Sequence, residues 1–347
     1  MRRFLIIKMS SLGDVLHLLP SLTDVKCHHS DIRFDWVVEK PFADIVQLHP
    51  MVDTIIPIEL RKWRKSPWQA LITNEWRQFK SALKARNYEG VIDAQGLIKS
   101  ALIARLARGP RYGFDKTSAR EPLSSVGLDF PVPVPRQDHA INRLRFLFAS
   151  IFNYEFNPNQ LNFNINVSDL NAFPIDERYR VFLHGTTWST KHWPIEHWIE
   201  LAQHATCHHE KVYLPWGTLE EKKRAEEIQL KVGSNVVVLP KLTLSQLIFI
   251  LGKAKGIISV DTGLGHIGAA LNVPILSLYG PTHSELTGAR GLHSEHFKSD
   301  YPCAPCLKKK CKWKPSSASP PCMAQLTPQL VWKRYTNLEK SHAEAII

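Results

Sequence analysis

The feature that most constrains the fold is an alternation, repeated along the chain, between short apolar runs and longer amphipathic ones. Residues 4–7, 34–38, 54–58 and 90–94 are apolar runs bounded by polar or turn residues, and helical patterns at 76–86 and 99–107 lie among them. Runs this short and this uniformly apolar suit strands buried on both faces, so the pattern predicts a mostly parallel sheet covered by helices. The alternation weakens between 126 and 175, where PVPVP at 131–135 predicts a proline-stiffened extended segment, a helix is expected over 139–152, and an Asn-rich irregular stretch fills 153–166. It resumes with strands expected at 179–184, 211–214, 236–239, 256–260 and 273–278, and helices at 194–208, 219–232 and 243–254. Thr243 with Gln246 fits a capping box at the start of the last helix. A chain of 347 residues has the length of two domains. The fold class is therefore α/β, with two Rossmann-like doubly wound domains facing across a cleft, at 1–165 and 166–347.

In such domains ligands bind beyond the carboxyl ends of the strands, so the strand–helix loops carry the functional candidates. The first loop, KMSSLGD at 8–14, leads into a helix expected near Val15. Its Ser and Gly residues leave backbone N–H groups to face a ligand at a helix N-terminus. Asp14 has two readings there: an N-cap, or a general base that takes the proton of a sugar hydroxyl. The stretch 60–65 sets Arg61, Arg64, Lys65 and a fourth cation around a Trp. It reads as a solvated turn or as a clamp for phosphates and carboxylates, which Arg120 in its own loop would join. In the second half, Thr186, Thr187 and Lys191 offer hydroxyls and a point charge suited to a diphosphate. Glu221 opens a helix, either as a dipole partner or as a hydrogen-bond acceptor for ribose. The segment 261–266 follows a strand with Asp261, Thr262, Gly263, a second glycine and His266, the pattern of an anion cradle.

Charge bears on partners. Lys and Arg number 44 against 32 Asp and Glu, a formal net charge of +12. An anionic partner is implied: nucleic acid, an acidic membrane face or a phosphorylated substrate. The cations are spread out and no DNA- or RNA-binding motif is present, which excludes the usual nucleic-acid binders and leaves a nucleotide-binding regulator as the second class. No apolar run is long enough to span a membrane, and the N-terminal run is broken by Lys8. Four of the six cysteines, Cys303, Cys306, Cys311 and Cys322, crowd near the C-terminus. They read either as a structural Zn²⁺ site of four thiolates or as reduced thiols whose pKa values Lys308, Lys309 and Lys310 lower.

Taken in order, KMSSLGDVLHLLPSLTD (8–24), FDWVVEKPFADI (34–45), RKWRKS (61–66), YEGVIDAQGLIKSALIARLARG (88–109), TSAREPLS (117–124), KHWPIEHW (191–198), LPWG (214–217), SVDTGLGHIGAAL (259–271) and LYGPT (278–282) resemble the bacterial lipopolysaccharide heptosyltransferases of glycosyltransferase family 9. RKWRKS, DAQGL and AREPL resemble the branch that adds the first heptose more than the branch that adds the second. The resemblance spans residues 1 to about 290. It implies a GT-B fold and an inverting transfer from ADP-L-glycero-β-D-manno-heptose to the inner Kdo of Kdo2-lipid A, with no metal required, by a cytoplasmic enzyme peripheral to the anionic inner membrane. It implies that Asp14 is the general base, that Thr186, Thr187, Lys191, Glu221, Leu242, Asp261, Thr262, Gly263 and His266 meet the donor, and that Arg61, Arg64, Lys65 and Arg120 meet the acceptor. Leu242 stands where the family has Met, a nearly isosteric change. The cysteine cluster departs from the first-heptose branch and resembles a tail of the wider family.

Overall fold

In a computed structural model the described residues are 1–347 apart from 66–72, 169, 171–172, 208–209, 314–318 and 347. They form two compact units, Met1–Asn166 and Val167–Ile347. The first is built on strands β1 (Arg2–Ile7), β2 (Ile32–Glu39), β3 (Val52–Ile58), β4 (Gly90–Asp93), β5 (Arg111–Phe114) and β6 (Phe130–Val132). The second is built on β7 (Tyr179–Leu183), β8 (Lys211–Leu214), β9 (Val236–Val238), β10 (Gly256–Val260), β11 (Ile275–Tyr279) and β12 (Ser294–Lys298). Every pairing is parallel.

The first sheet runs β3-β2-β1-β4-β5-β6 and the second β12-β11-β10-β7-β8-β9. Counting β7 to β12 as one to six, both sheets have the same order, 3-2-1-4-5-6, the doubly wound dinucleotide-binding arrangement. Its consequence is positional. The winding reverses between β1 and β4 in the first unit and between β7 and β10 in the second, so a ligand crevice opens beyond the carboxyl ends of those pairs. The strands close to each crevice are deeply buried. Leu5, Ile6 and Ile7 of β1 and Ile257 and Ile258 of β10 have no exposed surface, as strands covered by helices on both faces require.

Locally the structure adds to the sequence reading and corrects it at one helix start. The extended, proline-stiffened segment expected at 131–135 opens inside β6, where Pro131 lies opposite Gly113. That strand is at the edge of its sheet, where a residue without an N–H is tolerated. β12 was not apparent in the sequence, since its Ser-Glu-His-Phe-Lys composition is polar and it too is an edge. The helix after β1 is Leu12–Leu16 and begins earlier than near Val15. Finally, the helix Pro328–Ile346 packs Val331 and Tyr335 into the core of the second unit. Its Tyr335 hydroxyl and Glu339 accept from Arg180 of β7 at 3.1 and 3.0 Å, so a buried arginine ties the end of the chain to the central strand. Among the described residues no helix is long and apolar enough to cross a membrane.

Candidate active site

In the first unit the loop after β1 meets the loop after β4. Asp14 is the third residue of its helix, and Ser11 takes the N-cap position expected of Asp14. The Asp14 carboxylate accepts from the Ser11 backbone N–H at 2.9 Å and the Ser11 hydroxyl at 2.8 Å. Burial alone would raise its pKa. The neighbouring Lys8 charge, the two Ser11 hydrogen bonds and Arg120 outweigh burial and hold it below the usual carboxylate value. The capping role and an ionised, half-buried carboxylate thus coexist at Asp14.

The β4 loop is folded by Asp93. Its Oδ1 accepts from the N–H groups of Gln95 and Gly96, and its Oδ2 from the Ser100 hydroxyl. Burial pushes its own pKa up to about 6 against those bonds. Gln95, placed by this turn, grips the β1 loop: Oε1 accepts from Met9 and Ser10 N–H at 3.0 and 3.3 Å, and Nε2 donates to the Ser10 carbonyl at 2.8 Å.

Arg120 is exposed, and it is carried on a rigid loop. Arg143 donates to the Ser118 carbonyl at 2.7 Å and Arg136 to the Ala119 carbonyl. Ser118 Oγ accepts from Val134 N–H at 2.7 Å. Lys65 is exposed at the end of the helix Leu60–Lys65, while the side chains of Arg61 and Arg64 lie outside the described residues. Within this basic stretch Lys62 pairs with Glu75 at 2.6 Å, and Trp63 Nε1 donates to Glu75 at 2.9 Å. Those two residues therefore anchor the helix.

In the second unit the loops after β7 and β10 meet in the same way. Lys191 Nζ lies 2.7 Å from Asp261 Oδ2, which also accepts from Thr282 Oγ1 at 2.7 Å. Thr186 Oγ1 donates to the Asp261 carbonyl at 3.0 Å. Lys191 Nζ also sits 4.5 Å from the centre of the Trp188 ring. The cation is thus held from two sides, by Asp261 and the Trp188 ring, beside exposed Thr187. Thr262 stands at the N-cap position of the helix Gly263–Ala270 without a side-chain cap bond, and within that helix His266 is buried with 8% exposure. The two glycines expected to form one cradle divide their work. A Cβ on Gly265 would fall 2.9 Å from Ser259 Oγ, so Gly265 serves close helix–strand packing, and Gly263 alone is left at the open N-terminus.

Glu221 completes a capping box. Its Oε2 accepts from Gly217 and Thr218 N–H at 2.7 and 3.1 Å, while Thr218 Oγ1 accepts from Glu221 N–H at 3.2 Å. Its other oxygen points toward Gly185, where a Cβ would collide with it. Glu221, Leu242 and Thr262 line one cavity of about 170 Å³ with Gly185, Trp216 and Leu247. Arg224, which sequence reasoning missed, ties the floor of this region by bonding His192 Nδ1 at 2.9 Å and the His184 carbonyl at 3.3 Å. Burial and that guanidinium hold His192 at about 4, so the ring is neutral and accepts.

Cys303 is exposed, Cys306 and Cys311 are partly buried and Cys322 is buried, all as free thiols. Among the described residues no three His, Cys, Asp or Glu side chains are arranged to hold a metal. Lysines do not lower the Cys322 thiol. Burial, reinforced by Cys303, Cys306 and Cys311, pushes it up to about 11. The segment that bears these residues lies against the β7 and β11 loops. Thr190 and Ser189 donate to the Lys308 and Lys309 carbonyls at 2.7 and 2.9 Å, and Leu307 N–H donates to the Pro281 carbonyl at 2.8 Å.

Residues 76–316 match Glycosyltransferase family 9 (heptosyltransferase). The chain is 45% identical over 340 residues to lipopolysaccharide heptosyltransferase 1 of Pseudomonas aeruginosa, covering 95% of this chain and 96% of that protein. Among solved structures it is similar to E. coli heptosyltransferase WaaC with ADP, at TM-score 0.85 and 39% identity over 97% of this chain and 99% of that one. It is also similar to the same enzyme with ADP-2-deoxy-2-fluoro heptose, at TM-score 0.82 and 39% identity over 96% and 99% of the two chains.

Proposed function

The chain belongs to glycosyltransferase family 9, the heptosyltransferases, with their GT-B fold, and from that premise we propose that it moves L-glycero-D-manno-heptose from ADP-heptose to the inner Kdo of Kdo2-lipid A. The observation that carries this reading is the division of chemistry between the two crevices. One unit presents an ionised carboxylate with a bound-down loop, and the other a fixed cation at a helix N-terminus beside a cavity lined by Trp216 and several leucines.

The proposed step is a single displacement. The Kdo hydroxyl attacks the anomeric carbon, its proton passes to Asp14, the anomeric carbon–oxygen bond to the diphosphate breaks, and ADP leaves with inversion. Lys191, Thr186, Thr187 and the N–H groups at Gly263 meet the charge that grows on the diphosphate. Asp261 acts through Lys191, whose ammonium it holds in place. The cavity bordered by Trp216, Leu242 and Leu247 suits the adenine ring, with Glu221 toward the ribose and His266 supporting the loop from inside. Arg61, Arg64, Lys65 and Arg120 are assigned to the Kdo carboxylates and lipid A phosphates.

The net charge of +12 supports a peripheral position at the cytoplasmic face of the anionic inner membrane, where such an acceptor is embedded. Diphosphate charge is met here by protein groups, so the reaction as proposed calls on no metal. Transfer in excess EDTA is expected to stay within twofold of the untreated rate, and a loss above tenfold would require a metal in the mechanism.

The deciding measurement is incubation of the protein with ADP-heptose and Kdo2-lipid A, read by mass. A gain of one heptose on the bare acceptor is the expected result. A gain only on acceptor that already carries one heptose would reassign the chain to the second transfer. ADP-independent, salt-sensitive binding to random DNA with no transfer would favour a regulatory role.

A further inference from the structure

Lys8 is a charged side chain that the displacement as described does not use. It stands at the end of β1 with only 7% of its surface exposed, and Nζ donates to the Ala94 carbonyl at 3.0 Å. A lysine is rarely buried this fully without a compensating charge. Burial lowers the Lys8 pKa from the ordinary lysine value; the carboxylates of Asp14 and Asp93 oppose that and favour the cation, while Arg143 and Arg120 act against it. The helix Ala43–Gln47, which packs beside the Asp14 helix, adds one further carboxylate, Asp44. Asp93 is already saturated by Gln95, Gly96 and Ser100, so its hydrogen bonds are committed to folding the β4 loop. Among the described residues Asp14 accepts hydrogen bonds from Ser11.

We infer that Lys8 is a positioning residue for the proposed base: a buried cation, anchored on the Ala94 carbonyl, whose field keeps the Asp14 carboxylate ionised while substrate displaces water from the loop. The inference rests on the assignment of Asp14 as base. Its logic is electrostatic. Covering a half-buried carboxylate with a sugar strengthens desolvation, which favours the protonated, inactive form. A cation already inside the protein is not screened or displaced when that happens. Arg120 contributes in the same direction but is exposed, so substrate and salt weaken its effect. Gln95 acts on the same loop by a different route, through backbone groups of Met9 and Ser10 and without charge.

The two routes separate in a pH profile. Lys8→Met removes the charge while keeping length. The acid limb of kcat is expected to rise by about one pH unit or more, so that part of the lost rate returns at higher pH, with KM for ADP-heptose within about twofold. Lys8→Arg keeps the charge and is expected to keep the acid limb in place. Gln95→Ala is expected to lower kcat at all pH values without moving the limb. If Lys8→Met fails to bind ADP, Lys8→Gln, which retains a donor for Ala94, is read in its place. An acid limb unchanged in the charge-free variant overturns the role of Lys8, whatever the loss of rate. Asp14→Asn, run alongside, separates the failures: if it retains near-normal transfer, the base assignment itself has failed.

Discussion

Asp14→Asn is expected to transfer heptose about 10²–10⁴-fold more slowly than the parent chain, the range that general-base catalysis contributes, while binding ADP with unchanged affinity. The substitution keeps the shape of the side chain and one oxygen to accept from Ser11, so the helix start survives. What is lost is the site for a proton. A sugar hydroxyl ionises far above neutral pH, and attack on the anomeric carbon without an acceptor for that proton builds an oxonium of high energy. ADP affinity is the control, because every group assigned to the nucleotide belongs to the second unit and Asp14 to the first.

The pH dependence follows from the sign of the shift. The Asp14 pKa in the folded chain is depressed, so the base is fully ionised at neutral pH and above the ordinary carboxylate value. Rate should therefore be flat as pH falls toward that value and decline only below it. Single-turnover transfer combined with calorimetric ADP titration checks both parts. Turnover of the variant within tenfold of the parent would remove Asp14 from the chemistry.

The framework of both units was legible because it is local. Buried parallel strands such as β1 and β10 are short apolar runs, and the loops after β1, β7 and β10 combine hydroxyls, glycines and a charge in a few residues. Two of the edge strands, β6 and β12, were less legible. β6 contains a proline and β12 is polar, and neither has the burial on both faces that makes a central strand conspicuous. The grip of Gln95 on Ser10 was not legible at all, since it joins loops 85 residues apart through one side chain and backbone groups. The same holds for Arg180 and Glu339, and for the seat of Lys308 and Lys309 on Ser189 and Thr190. No periodicity announces such contacts. At Asp14 the local rule placed the helix start a few residues late and chose the wrong residue for the cap, because Ser11 was equally able to fill it. At 263–265 two glycines close in sequence have different causes, one packing and one an open helix N-terminus, and only the neighbour of each Cβ tells them apart.

Lys191→Met should be the most damaging change in the second unit, and a double substitution distinguishes why. The ammonium is assigned to the diphosphate, and loss of one such preorganised donor costs about 10²–10³-fold in kcat. It is also half of the pair with Asp261, and deleting it leaves a half-buried carboxylate with Thr282 as its remaining hydrogen-bond donor. That structural penalty is about 1.5–3 kcal/mol, the size of a hydrogen bond to a charged group. A purely structural role and a role in charge stabilisation both predict a crippled single variant. They diverge when Asp261→Asn is added. The second change removes the orphaned charge, so the melting temperature should recover toward that of the parent. If Lys191 only held Asp261 in place, ADP affinity and transfer would recover with it. If Lys191 meets the diphosphate, the double variant should be as stable as the parent and still bind ADP at least tenfold more weakly, with transfer no faster than in the single variant. The double variant then recovers stability without recovering ADP affinity or transfer, because only stability is restored by removing the orphaned charge.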